Sequence, residues 1–141
     1  MTDSAKRHAI LEWYSHALGD LAMARSMLGP GLPARGAASH AQQAAEKAIK
    51  AALIAEGLAA PHTHDLDSIR NQLPAGWRVK RTHPDLAALS DYAVDTRYPD
   101  NVVPVTKLQA SNAVRQAASV VTAIAGDLER RGIAVGDVKP G

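Results

Sequence analysis

Residues 39–57 read Ser-His-Ala-Gln-Gln-Ala-Ala-Glu-Lys-Ala-Ile-Lys-Ala-Ala-Leu-Ile-Ala-Glu-Gly, and this stretch constrains the fold more than any other. Ala41, Ala44, Ala45, Ala48, Ala52 and Ala55 recur at helical steps, giving one apolar stripe with a period near 3.6. Alanine is the best helix former, and Gln, Glu, Lys and Leu follow it closely. Glu46 stands four residues before Lys50, the favourable orientation for an exposed ion pair on a helix surface. Gly57 supplies a C-terminal stop. Small side chains on the stripe let neighbouring backbones approach closely. The expectation is therefore a middle helix, packed on at least two partners.

The rest of the chain reads as helices around that one. Asp3 or Ser4 is placed to cap a first helix. Ile10, Trp13, Tyr14, Ala17, Leu21, Ala24 and Leu28 keep its spacing, to about Leu28. Gly29-Pro30-Gly31-Leu32-Pro33 breaks the chain, and the second helix starts between Ala34 and Ala38. Thr63 or Asp65 caps a short third helix over residues 66–73, closed by Pro74 and Gly76. Trp77-Arg78-Val79-Lys80-Arg81 reads as a basic loop. Thr82 or Asp85 caps a fourth helix carrying Leu86, Leu89 and Ala93, ending at Asp95-Thr96. Pro99 excludes helix around it. Pro104 sits near the first turn of a last helix, whose stripe is Leu108, Val114, Ala117, Ala118, Val121, Ile124 and Leu128. Gly132 ends it, and residues 132–141 read as a frayed tail. The fold class is all-α: an antiparallel, up-and-down bundle of four to five helices. One domain spans residues 1–141, with its core between about 4 and 131.

Composition narrows the function classes. The chain has 141 residues, no Cys and no Phe, so the core is aliphatic and no thiolate can hold a metal. No uncharged run is long enough to cross a membrane. The charged N-terminus leads into no apolar signal segment, so a cytoplasmic protein is expected. A net charge of +2 permits RNA, nucleotide or an acidic partner without demanding any of them. No P-loop, dinucleotide fingerprint or nucleophile elbow is present.

The order of the motifs is more specific than any one of them. Trp13 and Asp20-Leu21-Ala22 precede the run from His40 to Ala51. Thr63-His64-Asp65-Leu66 follows, then Tyr92 with Thr96-Arg97-Tyr98-Pro99, then the closing helix. In that order they resemble the HEPN domain family of prokaryotes, from about Ser4 to Arg131. The resemblance implies a helical bundle, usually dimeric, with a link to nucleotides or RNA. It also implies a small nucleotidyltransferase as partner, sometimes in a toxin–antitoxin pair.

Many HEPN proteins are metal-independent ribonucleases whose motif is an Arg followed, after four to six residues, by a His near the start of the last helix. A His there can move the 2′-hydroxyl proton, and an Arg can hold the phosphate. Arg97 matches the Arg. Val102, Val103 and Pro104 occupy the places of the His, so the chain departs from the pattern at its catalytic base. Arg35 with His40 and Arg78 with His83 repeat the spacing elsewhere in the bundle.

Each candidate residue carries two readings. Arg97 is a helix-end or ion-pair residue beside Asp95 and Asp100, or a phosphate or partner contact with Tyr98 and Asp100 beside it. His40, Gln43, Lys47 and Lys50 share one helix face. That face is a solvated surface, or a basic wall for phosphate or an acidic partner. His64 with Asp65 is a capping turn, or a histidine oriented by a carboxylate for catalysis. His62 and His64 are poorly spaced for a metal, so neither metal nor cofactor is expected. The Trp77–Arg81 run is a basic loop with Trp77 tucked onto the bundle, or a nucleic-acid backbone contact with one stacking group. The leading expectation is a dimeric HEPN binding module. It would partner a nucleotidyltransferase, or bind nucleotide or RNA. The alternatives are an endoribonuclease using Arg97 with His64, and a helical interaction domain with no ligand.

Overall fold

A computed structural model describes residues 1–93 and 104–141. Six helices lie among the described residues: α1 (Asp3–Ser26), α2 (Ala34–Ala55), α3 (Leu66–Asn71), α4 (Arg78–Thr82), α5 (Ala87–Ser90) and α6 (Lys107–Arg130). No strand is found among them. The alanine-rich α2 is the axis. Ala37, Ala38, Ala41, Ala44, Ala45, Ala48, Ala51 and Ala52 are all fully buried, so their burial extends well round the helix. It packs on α1 along one side and on α6 along another. Alanine makes this possible, because a methyl group lets two backbones approach where a leucine would hold them apart. α1 closes on it through Ile10, Tyr14, Ala17, Leu21 and Ala24, and α6 through Ala110, Val114, Ala117, Val121, Ile124 and Leu128.

Of the three long helices, α1 runs opposite to the other two. Asp3, Lys6 and Arg7 share one end of the bundle with Ala55, Glu56 and Arg131. Met27 and Leu28 share the other with Ala34, Lys107 and Ala110. α1 is therefore antiparallel to α2, while α6 runs parallel to α2. The chain between α2 and α6 makes the return pass, so the bundle is up-and-down.

Helix ends follow capping chemistry, with some differences from the sequence expectation. Thr2, not Asp3 or Ser4, caps α1: its extended backbone lets Oγ1 accept from the Ala5 N–H at 3.1 Å. Asp3 falls in the first turn, where its charge faces the positive helix end. At the far end of α2, Gly57 takes a φ of 73° and the Leu58 N–H reaches back to the Leu53 carbonyl at 2.9 Å. α6 starts at Lys107 under a capping box made by Thr106 and Gln109, leaving Pro104 outside the helix. Leu108 is 71% exposed and is not part of the α6 stripe, because it stands two positions before Ala110, about 200° round the helix from that face.

Three further corrections concern the second half. Residues 78–82 form a short helix rather than a loop. Trp77 and Val79 are buried, and the Asp127 carboxylate accepts from the Arg78 N–H at 2.6 Å. That partner lies 49 positions away, beyond any local reading. The fourth sequence helix is a single turn, α5, with Asp85 accepting from the Ala87 N–H at 3.0 Å. Its expected end at Asp95-Thr96 lies outside the described residues. Residues 132–141 do not fray: Val135 is buried, Ser15 Oγ donates to the Lys139 carbonyl at 2.6 Å, and the Gly141 N–H donates to the Ser15 carbonyl at 3.0 Å.

The close approach on α2 has a direct consequence. Ala45→Leu puts a branched side chain into a fully buried helix contact and should cost about 1–3 kcal/mol. Thermal unfolding of the variant checks this. A melting temperature equal to that of the parent chain would mean that α2 is not tightly packed.

Candidate functional site

His40, Gln43, Lys47 and Lys50 lie together along α2, each half-buried. The seam they make is not an uncompensated basic wall, because two acids from within the bundle neutralise it. Asp20 of α1, whose side chain is 13% exposed, accepts from Lys47 Nζ at 2.6 Å and faces His40 Nδ1 at 3.0 Å. One turn further, Glu46 is nearly sealed from solvent, with 4% of its side chain exposed. The Glu46–Lys50 pair is therefore buried at its carboxylate, rather than exposed as the spacing alone suggested.

Glu46 organises the groups around it. Oε2 accepts from Lys50 Nζ at 2.9 Å. Oε1 faces His64 Nδ1 at 2.7 Å and accepts from Gln42 Nε2 at 3.1 Å. Gln42 Nε2 also donates to the His64 carbonyl at 3.2 Å, so the turn carrying His64 is tied to α2 by main chain and side chain. Both contacts at that nitrogen are acceptors, which fixes the amide orientation. Gln42 Oε1 is buried with no hydrogen-bond partner among the described residues. The ammonium of Lys50 lies 5.4 Å from the centroid of the Trp13 ring, within cation–π range.

Burial by itself would raise the Glu46 pKa. The hydrogen bonds from His64, Lys50 and Gln42, with the Lys50 charge, outweigh it and hold the carboxyl below its ordinary value. Glu46 is thus ionised at neutral pH and accepts only. His64 Nδ1 must then carry the proton, leaving Nε2 on a side chain that is 61% exposed. A histidine held this way offers a proton acceptor to solvent in a fixed orientation. Beside it is an open recess of about 360 Å³ lined by Trp13, Lys50, Ala60, Pro61, His62 and Thr63 as well as His64.

Asp65 is occupied otherwise. It caps α3, its carboxylate accepting from the Asp67 N–H at 3.1 Å and the Ser68 N–H at 3.5 Å. The carboxylate on His64 is therefore Glu46, 18 positions upstream, and not its sequence neighbour. His83 is held between Thr82 Oγ1 at 2.8 Å and Ser119 Oγ at 2.9 Å, and burial with the nearby Arg70 charge lowers its pKa. Trp77 is buried beneath Arg131, whose guanidinium stacks 3.9 Å from the ring centroid. Arg97, Tyr98 and Asp100 lie outside the described residues. Among the described residues, no group of three or more His, Asp or Glu side chains could hold a metal ion, and no helix is long and apolar enough to cross a membrane.

The sequence singles out His64 and Lys50 as candidates but not Gln42 and Glu46, which contact them in the structure. The signal was present in the Gln-Gln-Ala-Ala-Glu-Lys run: a Gln and a Glu four apart on a helix that is largely alanine on its other faces. Comparison with known proteins adds three findings. The family model of the HEPN domain matches residues 10–128. The crystal structure of TT1696 from Thermus thermophilus is similar at 30% identity and a TM-score of 0.70, over 82% of this chain and 94% of that one. No functionally curated protein matches.

Because the Glu46 carboxyl is held below its ordinary value, it stabilises the fold fully above the unfolded value near 4.5. That contribution is lost as pH falls through the lower folded value. The melting temperature should therefore drop on acidification through and below that range, and Glu46→Gln should flatten part of the drop. At neutral pH, Glu46→Ala should cost about 3 kcal/mol, because Lys50 and Gln42 lose a buried partner. Equal pH profiles for the parent chain and Glu46→Gln would contradict this.

Proposed function

The chain belongs to the HEPN domain family, and from that premise we propose that it acts as a dimeric binding module for nucleotide or RNA, or for a nucleotidyltransferase partner. A toxin–antitoxin setting fits either form. The observation that carries the reading is the recess at Trp13, Lys50, His62 and His64. An indole, an ammonium and two imidazoles suit a ligand with a π face and negative charge. Lys50 and His64 of the recess are already balanced by Glu46, and Lys47 and His40 of the neighbouring seam by Asp20, so binding at the recess would depend on shape and stacking more than on bulk charge. Dimerisation is supported by an apolar surface where α6 begins: Leu28 and Leu32 are exposed there beside Met27, Ala34 and Ala110. Arg97, Tyr98 and Asp100 enter this reading only through the family resemblance.

The test is thermal unfolding of the dimer, with its size fixed by light scattering, against nucleoside mono- and triphosphates. Ligand at a hundredfold Kd should stabilise by about 2.7 kcal/mol and raise the melting temperature by roughly 5–10 °C. Trp13→Ala or Lys50→Ala should remove that shift. No shift with any nucleotide would leave the protein partner as the ligand.

One observation favours a second reading, a metal-independent endoribonuclease. His64 paired to a buried carboxylate has the geometry of a general base. In EDTA, such an enzyme should cleave RNA, and His64→Ala and Arg97→Ala should each lose activity by about 100-fold or more. Absence of cleavage by the parent chain would exclude it.

A further inference from the structure

A second charged surface lies on the other side of α6, away from the recess. α4 lies along α6: the Arg78 N–H is 2.6 Å from Asp127, and His83 is 2.9 Å from Ser119. Arg78 and Arg81 project from this short helix, both exposed, and neither forms an ion pair among the described residues. On α6, Arg115, Ser119, Thr122 and Gly126 follow at steps of four, three and four, so they share one face. Arg115 is exposed and, among the described residues, hydrogen-bonds Asn112 at 3.4 Å. Arg130 folds back along the same face, its guanidinium 3.5 Å from where a Cβ on Gly126 would stand.

Among the described residues, the acids nearby are committed to other partners. Asp127 is buried and binds Arg130 and the Arg78 N–H. Glu129 accepts from the Val135 N–H. Asp85, at the Arg115 end, accepts from the Ala87 N–H. The result is a strip of four arginines with hydroxyls between them, extending about 22 Å from residue 115 to residue 130 at ~1.5 Å per residue. That spans about six nucleotides of one duplex strand at ~3.4 Å each.

We propose that this α4–α6 strip holds a nucleic-acid phosphodiester backbone without reading its sequence. Arginines and hydroxyls are the side chains that bind phosphate oxygens. No large exposed hydrophobic residue stands between residues 78 and 82 or between 115 and 130, so the strip lacks the apolar centre of a protein interface. Among the described residues, Trp77 beside the strip is buried and offers no platform for base stacking. The strip deepens the nucleic-acid arm of the function proposed above, and it uses none of the recess residues.

Fluorescence anisotropy with the full chain tests it, using RNA and DNA oligonucleotides of about 20 nucleotides in two unrelated sequences, between about 50 and 200 mM salt. The two sequences should bind alike, with a log–log salt slope of about −3 for three to four neutralised phosphates. The triple variant Arg78→Gln, Arg81→Gln, Arg115→Gln changes only exposed side chains. It should keep its melting temperature, lose at least about tenfold in affinity and flatten the slope by about two. Unchanged affinity in the variant, no binding by the parent chain, or a strong sequence preference would each overturn the proposal. So would equally effective competition by poly-glutamate at equal charge, which would mark an acidic protein as the occupant. Loss of the nucleotide melting shift with oligonucleotide binding intact would strike the recess alone, and the reverse would strike the strip alone.

Discussion

The close approach of α1 and α6 to an alanine-lined α2 is the constraint on which the rest of the structure depends. It seals the packed faces of α2 from solvent, so charged groups there depend on partners within the protein. Glu46 is the sharpest case. Sealed from solvent, its carboxylate is stable only with the lysine, the amide and the imidazole that reach it. Packing therefore fixes a charge, and the charge fixes the position of His64. The same logic works at the end of the bundle, where Glu56 accepts from Trp77 Nε1 at 2.6 Å and from Arg131 at 3.3 Å, locking the α3–α4 region against α2 and α6.

This division separates two kinds of surface. The polar seam of α2 holds charges that answer one another across α1 and the 58–65 turn. The α4–α6 strip carries arginines that the described residues answer only in part, at Arg130. A ligand at the first would meet a preorganised but nearly neutral site, selective by shape and stacking. A ligand at the second would meet a field that falls with salt. A HEPN module that handles nucleic acid has a use for both, one to grip the backbone and one to receive a base or a reacting group.

Much of the fold was legible in the sequence because its signals are local. The alanine period of α2, the Gly-Pro break after α1 and the stripe of α6 each predict their element within a few residues. What was not legible depends on partners far along the chain. α4 forms because Asp127 caps it, and the tail is ordered because Ser15 and Glu129 receive it. Leu108 fits an apolar pattern, yet the helix phase turns it outward. At the site, the pairing of His64 with a carboxylate was readable as an option. Its identity was not, since Asp65 lies next in sequence while Glu46 lies next in space. The balance of Lys47 and His40 by Asp20 was hidden for the same reason.

The buried Glu46 carboxylate holds His64 in one orientation. The most direct measurement is the tautomer of His64, read from long-range proton–nitrogen correlations in a nitrogen-labelled sample above the histidine titration range. The proton is expected on Nδ1 in the parent chain, and lost from that nitrogen in Glu46→Ala. The same tautomer distribution in both, or a proton on Nε2 in the parent chain, would contradict it.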